Sequence, residues 1–588
     1  MPLYPRVRAQ LTEQNVIDSF GGYDHRLRIG DGAWYDTKNL SSDHAPLLST
    51  RRPRADTSLR AAALLEKEAL AYVGEDGTLY YDFLATPVTG LASGDKTLVG
   101  MGACVLVFPD KVYFNTEDHS DWGSMEAHFG PESAVYELCR FDGTAVSASW
   151  TQAAAPADPQ NGQYWIDTSG ERGVLRQWSE AQSEWLSVET VYTRVRFTTL
   201  GQIPRLFAVN DAVTLSGAAC EELNGDKLIL ALGGGENEAD WILIDALPET
   251  LGGGTEAALR LDRSVPQLDY VCECQNRLWG CRYGQGADGK VVNEILCCAL
   301  GDFKNWRQFA GLSTDSWAAS VGSDGPWTGC VNYLGTPTFF KENRIHRVSV
   351  SAEGAHRVDE TVCRGVQKGG AKSLVVVNET LYYKSPAEVC AWQGGFPRGV
   401  SAQLGAEAYH GAVGGEIGGK YYLSMLDEAE NGVLFVYDIA RGLWLKEDAL
   451  RVTDFARVGG ELYALAGGRL LALLGSMSVT GSTREQSVEW EAVTGLQSFR
   501  LPENKRVSRY NIRLDLAAGA SLAVAVQYDS DGVWRSAGSV TASGARTGHF
   551  LFPVRPHRCD HLQLKLSGQG EARILSISRI LEVGSDYR

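Results

Sequence analysis

Short apolar or aromatic runs follow turn-forming Gly, Asn or Asp residues repeatedly between Tyr72 and Leu465. The copies include Asp76-Gly77-Thr78-Leu79-Tyr80-Tyr81, Asn276-Arg277-Leu278-Trp279, Asn343-Arg344-Ile345, Asn378-Glu379-Thr380-Leu381-Tyr382-Tyr383, Gly418-Gly419-Lys420-Tyr421-Tyr422-Leu423 and Gly459-Gly460-Glu461-Leu462-Tyr463. The last three begin about 41 residues apart, the period of a four-stranded propeller blade. A sheet of four short strands is too small to bury both its faces, so stacking of repeats has to supply the core. The pattern predicts an all-β chain built on a seven- or eight-bladed β-propeller. Insertions distort the period, and ring closure can borrow a strand from either terminus, so the spacing leaves the blade number between those two values.

Departures from the period divide the chain. Residues 1–60 read as an irregular N-terminal arm ending in Arg51-Arg52-Pro53-Arg54, with Arg51 and Arg52 as candidate contacts for an acidic partner and a solvated loop as the plainer alternative. Residues 61–152 hold the first blades, with strands around Ala71-Tyr72-Val73, Cys104-Val105-Leu106-Val107 and Lys111-Val112-Tyr113-Phe114. Residues 153–190 read as a small Trp-rich β insertion carrying Trp165, Trp178 and Trp185 on short strands. Those rings form either a miniature core or an aromatic platform for a sugar. Residues 191–478 hold the remaining blades, beginning with Arg205-Leu206-Phe207-Ala208-Val209 and Lys227-Leu228-Ile229-Leu230-Ala231. Period-two alternation in Ser508–Leu516, Leu522–Tyr528 and His561–Leu566 then predicts a C-terminal β-sandwich over 479–588.

The 55 Lys and Arg against 72 Asp and Glu give a formal charge of -17, which argues against attraction of nucleic acid and against sequence-specific binding to it. Met1 to Leu11 contain no apolar core of a secretory signal, and no apolar run is long enough to span a membrane, so a soluble product made in the cytoplasm is expected. The 12 cysteines fall mostly in apolar strand-like runs and lack paired CxxC spacing, which predicts buried reduced thiols.

Candidate chemistry is sparse. The carboxylates Asp262, Asp269, Glu273, Glu294, Asp315 and Asp324 sit in turns and strand edges that explain them without catalysis. His549, His557 and His561 lack metal-ligand spacing, and neither a nucleophile elbow nor a phosphate-binding loop is present. No catalytic residue, metal or cofactor is therefore expected, and the chain reads as a non-enzyme.

The run Val265 to Gly280, with Asn293-Glu294-Ile295, Ala299-Leu300-Gly301-Asp302 and Asn305-Trp306, resembles stretches of structural proteins of tailed bacteriophages and prophages. Ser313 to Trp317 through Asn343 is similar, as are the insertion around Asn161 to Ser169 and the C-terminal Val526 to Gly532. The resemblance implies a virion component of the tail or head-to-tail joint, assembled in the bacterial host cytoplasm. Its implied partners are other virion structural proteins and further copies of this chain around the particle axis. The alternative is a propeller protein that binds or cleaves glycans at the host cell surface, with Trp165, Trp178 and Trp185 as contacts.

Overall fold

Paired aromatic residues in the repeats sit on the strands that face both neighbouring sheets. Adjacent strand residues point to opposite faces, so Tyr382 packs with Tyr421 and Trp444 while Tyr383 packs with Phe340 and Trp392. Phe339 and Phe340 divide in the same way, one ring joining Trp279 and Trp327 and the other Tyr383. Each doublet thus staples one sheet to two others.

The computed structural model describes residues 12–170, 173–248, 253–286, 289–351, 354–499, 501, 504–555 and 557–583. Met1 to Leu11, read above for its lack of a signal, lies outside them. Seven four-stranded antiparallel sheets form the propeller. Blade one comprises residues 61–67 of the long strand Ala55–Lys67 with Ala69–Gly74, Leu79–Tyr81 and Leu84–Ala85. Blade two spans Thr97–Met101 to Trp122–Ser124, and blade three Tyr270–Glu273 to Trp317–Ser320. Blades four, five and six run from Gly329–Tyr333 to His356–Val362, Val375–Val377 to Arg398–Gly399, and His410–Ile417 to Leu443–Lys446. Blade seven takes Asp454–Val458, Glu461–Ala466 and Arg469–Ala472, and its fourth strand is residues 55–60 of the same long strand, flanked by the short Thr483–Arg484.

One strand therefore ends the last blade and begins the first, which closes the ring. A buried cluster of Ala55, Leu64, Tyr72, Tyr463 and Leu470 fills the seam, and comparable clusters fill the other six interfaces. Closure leaves little unpaired sheet edge. Tyr421 tests this packing: it is fully buried, and its hydroxyl donates to the Ser373 carbonyl at 2.7 Å. Tyr421→Ala is expected to cost about 3–5 kcal/mol in urea denaturation, and Tyr421→Phe about 1 kcal/mol; equal losses would contradict this account of the ring.

The expectation of an irregular arm over 1–60 is corrected. Trp34–Lys38 pairs with Glu489–Thr494, while Thr12–Ile17 and Leu48–Thr50 pair with the strand at Ala572–Val583. The arm thus completes both sheets of the C-terminal sandwich, whose core includes Trp34, Trp490, Tyr510 and Leu564. It also fastens the sandwich to blade six. Tyr23 N–H donates to the Trp444 carbonyl at 2.5 Å, and a Cβ on Gly22 would lie 2.1 Å from that oxygen, so only glycine permits the approach.

Arg51 was expected to be available to another chain; it is instead buried in this joint, 2.6 Å from Glu485. Arg54 lies beside it, 2.6 Å from Glu447 and 2.7 Å from Asp448. Burial would lower the Arg54 pKa, but the two carboxylates outweigh it and raise the value. Arg52 alone of the pair keeps an exposed side chain.

Between blades two and three a separate sheet is inserted. Ala127–Cys139 and Gly254–Arg263 leave and re-enter the ring as a paired ribbon, the core of a seven-stranded antiparallel sheet with its own interior of Phe129, Phe197, Leu215 and Leu259. Residues 192–263 therefore belong to this insertion and not to propeller blades. The expected strand at 205–209 is a helical turn, Ile203–Leu206, with Pro204 in its first turn and Ile203 and Phe207 buried four residues apart. All 12 cysteines are free. No helix among the described residues is long and apolar enough to cross a membrane.

Candidate functional site

A second ribbon grows from the first. Cys139 and Tyr192 are register partners, and between them lies a four-stranded sheet of Trp150–Gln152, Tyr164–Asp167, Val174–Ser179 and Glu184–Thr190. The Trp-rich module is thus an insertion within an insertion. One of its faces is an anchor, since Ile166 and Leu175 pack with Leu138 and Val191 at its base.

The other face gathers four tryptophans. Trp150 is the register partner of Trp165, and Trp178 of Trp185. The Trp185 ring centroid lies 6.0 Å from that of Trp150, 5.4 Å from Trp165 and 5.5 Å from Trp178, all edge to face. That geometry suits the aromatic quadrupole. Trp165 is buried, with its indole N–H donating to the Gln152 carbonyl at 2.8 Å, whereas Trp150, Trp178 and Trp185 are half-buried. Trp165 is therefore the floor and the other three the exposed surface. All three expected rings are together, and Trp150 is the member the sequence reading missed. Its only signal is the short run Trp150-Thr151-Gln152.

Polar groups flank the rings on the same face. The Arg176 guanidinium lies 5.7 Å from the centre of the Trp165 ring and donates to Asp167 at 2.8 Å. Burial would raise the Asp167 pKa, but hydrogen bonds from Ser169 and Arg176 outweigh it and hold the carboxylate below its usual range. A fixed charge pair next to half-exposed indoles offers donors and acceptors beside an apolar surface, the combination that a sugar ring with one C–H face and a hydroxyl rim can use.

The six carboxylates singled out in the sequence do not converge there. Asp269 accepts from Tyr283 N–H at 2.7 Å, Glu273 from Asn276 N–H at 2.8 Å, and Asp315 from Leu312 N–H at 2.9 Å. Glu294 pairs with Arg282 at 2.8 Å, and Asp262 with His128 at 2.8 Å. On the innermost strands Glu416 pairs with Arg457 at 2.5 Å and Asp454 with Lys372 at 3.1 Å. Glu66 lies near the first of these pairs, with its pKa raised by burial and by Glu416 against the pull of Arg457.

Among the described residues, no group of three or more His, Cys, Asp and Glu side chains is arranged to hold a metal. His557 packs at a tilt against Tyr528, ring centroids 4.6 Å apart, and His561 lies 3.0 Å from Asp560. His346 is the buried exception, 3.0 Å from the Ser323 hydroxyl and 3.3 Å from Glu360, and burial pushes its pKa down to about 4. The unfolded ring titrates near about 6.5. Between those values the unfolded chain binds more protons, so stability is present at neutral pH and is lost as pH falls from about 6.5 to about 4, by on the order of 3 kcal/mol. Denaturation at pH 7 and pH 4.5 checks this: His346→Asn is expected to flatten the dependence, and an unchanged slope would rule it out.

No protein-family model and no curated protein matches the chain. It is similar to the solved structure of an exo-β-1,3-galactanase from Phanerochaete chrysosporium, with 9% identity over 53% of this chain and 94% of that one at a TM-score of 0.20. A glycoside hydrolase family 43 arabinoxylan arabinofuranohydrolase from Bacillus subtilis gives 9% identity over 52% and 94% at 0.17. The structure of U3-55K gives 7% identity over 71% and 95% at 0.24. The expectation of a virion structural component is corrected: the similar solved structures include glycoside hydrolases, none of these comparisons supports a virion role, and it is not retained. Similarity of this degree carries no residue, substrate or reaction onto the present chain.

Proposed function

We propose that this protein binds glycans through the tryptophan face of its nested module, without cleaving them, and that the propeller is the rigid support for that face. The observation that carries the reading is the convergence of Trp150, Trp178 and Trp185, half-exposed, on a buried Trp165 beside the Asp167–Arg176 pair. Rings meant only as a core would be expected to bury all four. Half-exposed indoles keep apolar surface in water, and that surface is covered when a sugar presents its C–H face, at a gain of roughly 25 cal/mol per Å² of apolar area buried. The neighbouring charge pair then fixes orientation by charge-assisted hydrogen bonds to hydroxyls.

Binding without cleavage fits the ion pairing of Glu416 with Arg457, which leaves Glu66 beside it without a free second carboxylate. Glycoside hydrolysis uses two carboxyl groups set on either side of the scissile bond, one of them free to donate a proton. Native electrophoresis of the intact chain through gels containing galactan, arabinoxylan, β-glucan or a bacterial cell-surface polysaccharide tests the reading. Retarded migration in at least one gel, with no reducing ends released, is expected. Unretarded migration in all of them would refute binding, and new reducing ends would refute the non-catalytic part.

A further inference from the structure

Tryptophans can meet a glycan in two ways. Rings laid flat in a row make a rail for an extended chain, and each added sugar covers more apolar surface and adds to the affinity. Rings that converge make a cup, which one sugar fills. The nested module has the second arrangement.

Trp150 and Trp185 stand on the two edge strands of the four-stranded sheet, Trp150–Gln152 and Glu184–Thr190. Three strand spacings separate those edges, about 14 Å, yet the two ring centroids are 6.0 Å apart. Both side chains therefore lean inward over the middle of the face, where Trp165 is the floor. Trp185 is also set across its neighbours, with interplanar angles of 84° to Trp150, 67° to Trp165 and 61° to Trp178. None of these rings continues the plane of Trp185, so a sugar laid on one exposed indole meets another standing across its path.

The polar side of the cup favours the same occupant. Arg176 is the register partner of Trp165 and donates through Nε to Asp167 at 2.8 Å, which leaves its two terminal nitrogens as further donors. A sugar inside a chain carries glycosidic bonds on two sides. A terminal sugar carries one, and the position that would bear the other is a free hydroxyl able to bond a fixed charged group.

Resting on the glycan-binding reading above, we infer that the tryptophan face recognises the terminal sugar of a glycan chain, with Trp150 as the wall that shuts out continuing chain. One sugar then sets the affinity. The number of binding positions on a polysaccharide follows its number of chain ends and not its length.

Calorimetric titration of the full chain tests this with the four polysaccharides of the gels, each intact and as purified fragments of two and six sugars. For a polysaccharide that retards the chain, the two fragments are expected to bind within about two-fold of each other. Partial hydrolysis of the intact polymer is expected to raise the number of sites per gram in proportion to the ends created. Trp150→Ala is expected to admit internal sugars, so that sites per gram of the intact polymer rise several-fold while affinity for the two-sugar fragment falls. Binding of the six-sugar fragment about ten-fold or more tightly than the two-sugar one, or a capacity that follows mass instead of ends, would overturn chain-end recognition and leave glycan binding standing. An unchanged capacity in Trp150→Ala would remove Trp150 as the wall. Silence of every polymer and fragment would overturn glycan binding and chain-end recognition together.

Discussion

A chain beginning at Ala61 is expected to yield no cooperatively folding protein. The first sixty residues hold no blade of their own, yet they complete two bodies at once. Residues 55–60 are the fourth strand of blade seven, and without them the Arg469–Ala472 strand keeps only Glu461–Ala466 as a partner and becomes an open edge. The sandwich loses Trp34–Lys38 from one sheet and Thr12–Ile17 with Leu48–Thr50 from the other, along with the buried Trp34 ring. Removing Arg51 and Arg54 also strands Glu447, Asp448 and Glu485 near the joint without their cations, and an uncompensated buried charge is strongly destabilising. Soluble yield and thermal melting check this, and co-expression of residues 1–60 is expected to restore a cooperative transition. A truncated chain that melts like the full one would show that the ring closes by other means.

The same segment marks where the sequence stops being legible. Blades are readable because a turn followed by an apolar or aromatic pair recurs, and Tyr382-Tyr383 and Tyr421-Tyr422 show on their own that both faces of a strand are buried. The arm gives no such signal. Its strands are as short as Leu40–Ser41, and their apolar faces make sense only against Tyr510 and Leu564, more than 450 residues away. Arg51 shows the same limit, because an arginine in the basic run Arg51-Arg52-Pro53-Arg54 reads as solvated until Glu485 is seen beside it.

Residues 192–263 were unreadable for another reason. Their alternation, as in Val195 and Phe197, is that of any half-buried strand, and only pairing with Ala127–Cys139 assigns them to the insertion. The candidate site fared better. Trp165, Trp178 and Trp185 stood out by composition, but the division into one floor and three surface rings depends on register, as does the recruitment of Trp150.

Trp185→Ala is expected to remove most glycan binding. Its ring touches the other three, so its loss takes away both contact area and the edge-to-face contacts that hold Trp150 and Trp178 in place. Truncation of a central tryptophan at an interface costs about 2 kcal/mol or more, a loss of about thirty-fold in affinity. Trp178→Phe keeps an aromatic surface and is expected to lose only a few-fold. Titration of each variant against a polysaccharide that retards the parent chain measures the difference, with thermal melting to show that the propeller is intact. Equal affinity in Trp185→Ala and the parent would remove this face from the account.

The structure of the chain bound to an oligosaccharide cut from a retained polysaccharide is the most direct test of the central claim. Sugar rings lying against Trp178 and Trp185, with hydroxyls on Asp167 or Arg176, are the predicted result. Sugar density in the propeller funnel against Glu66 and Glu416, with the tryptophan face bare, would contradict it.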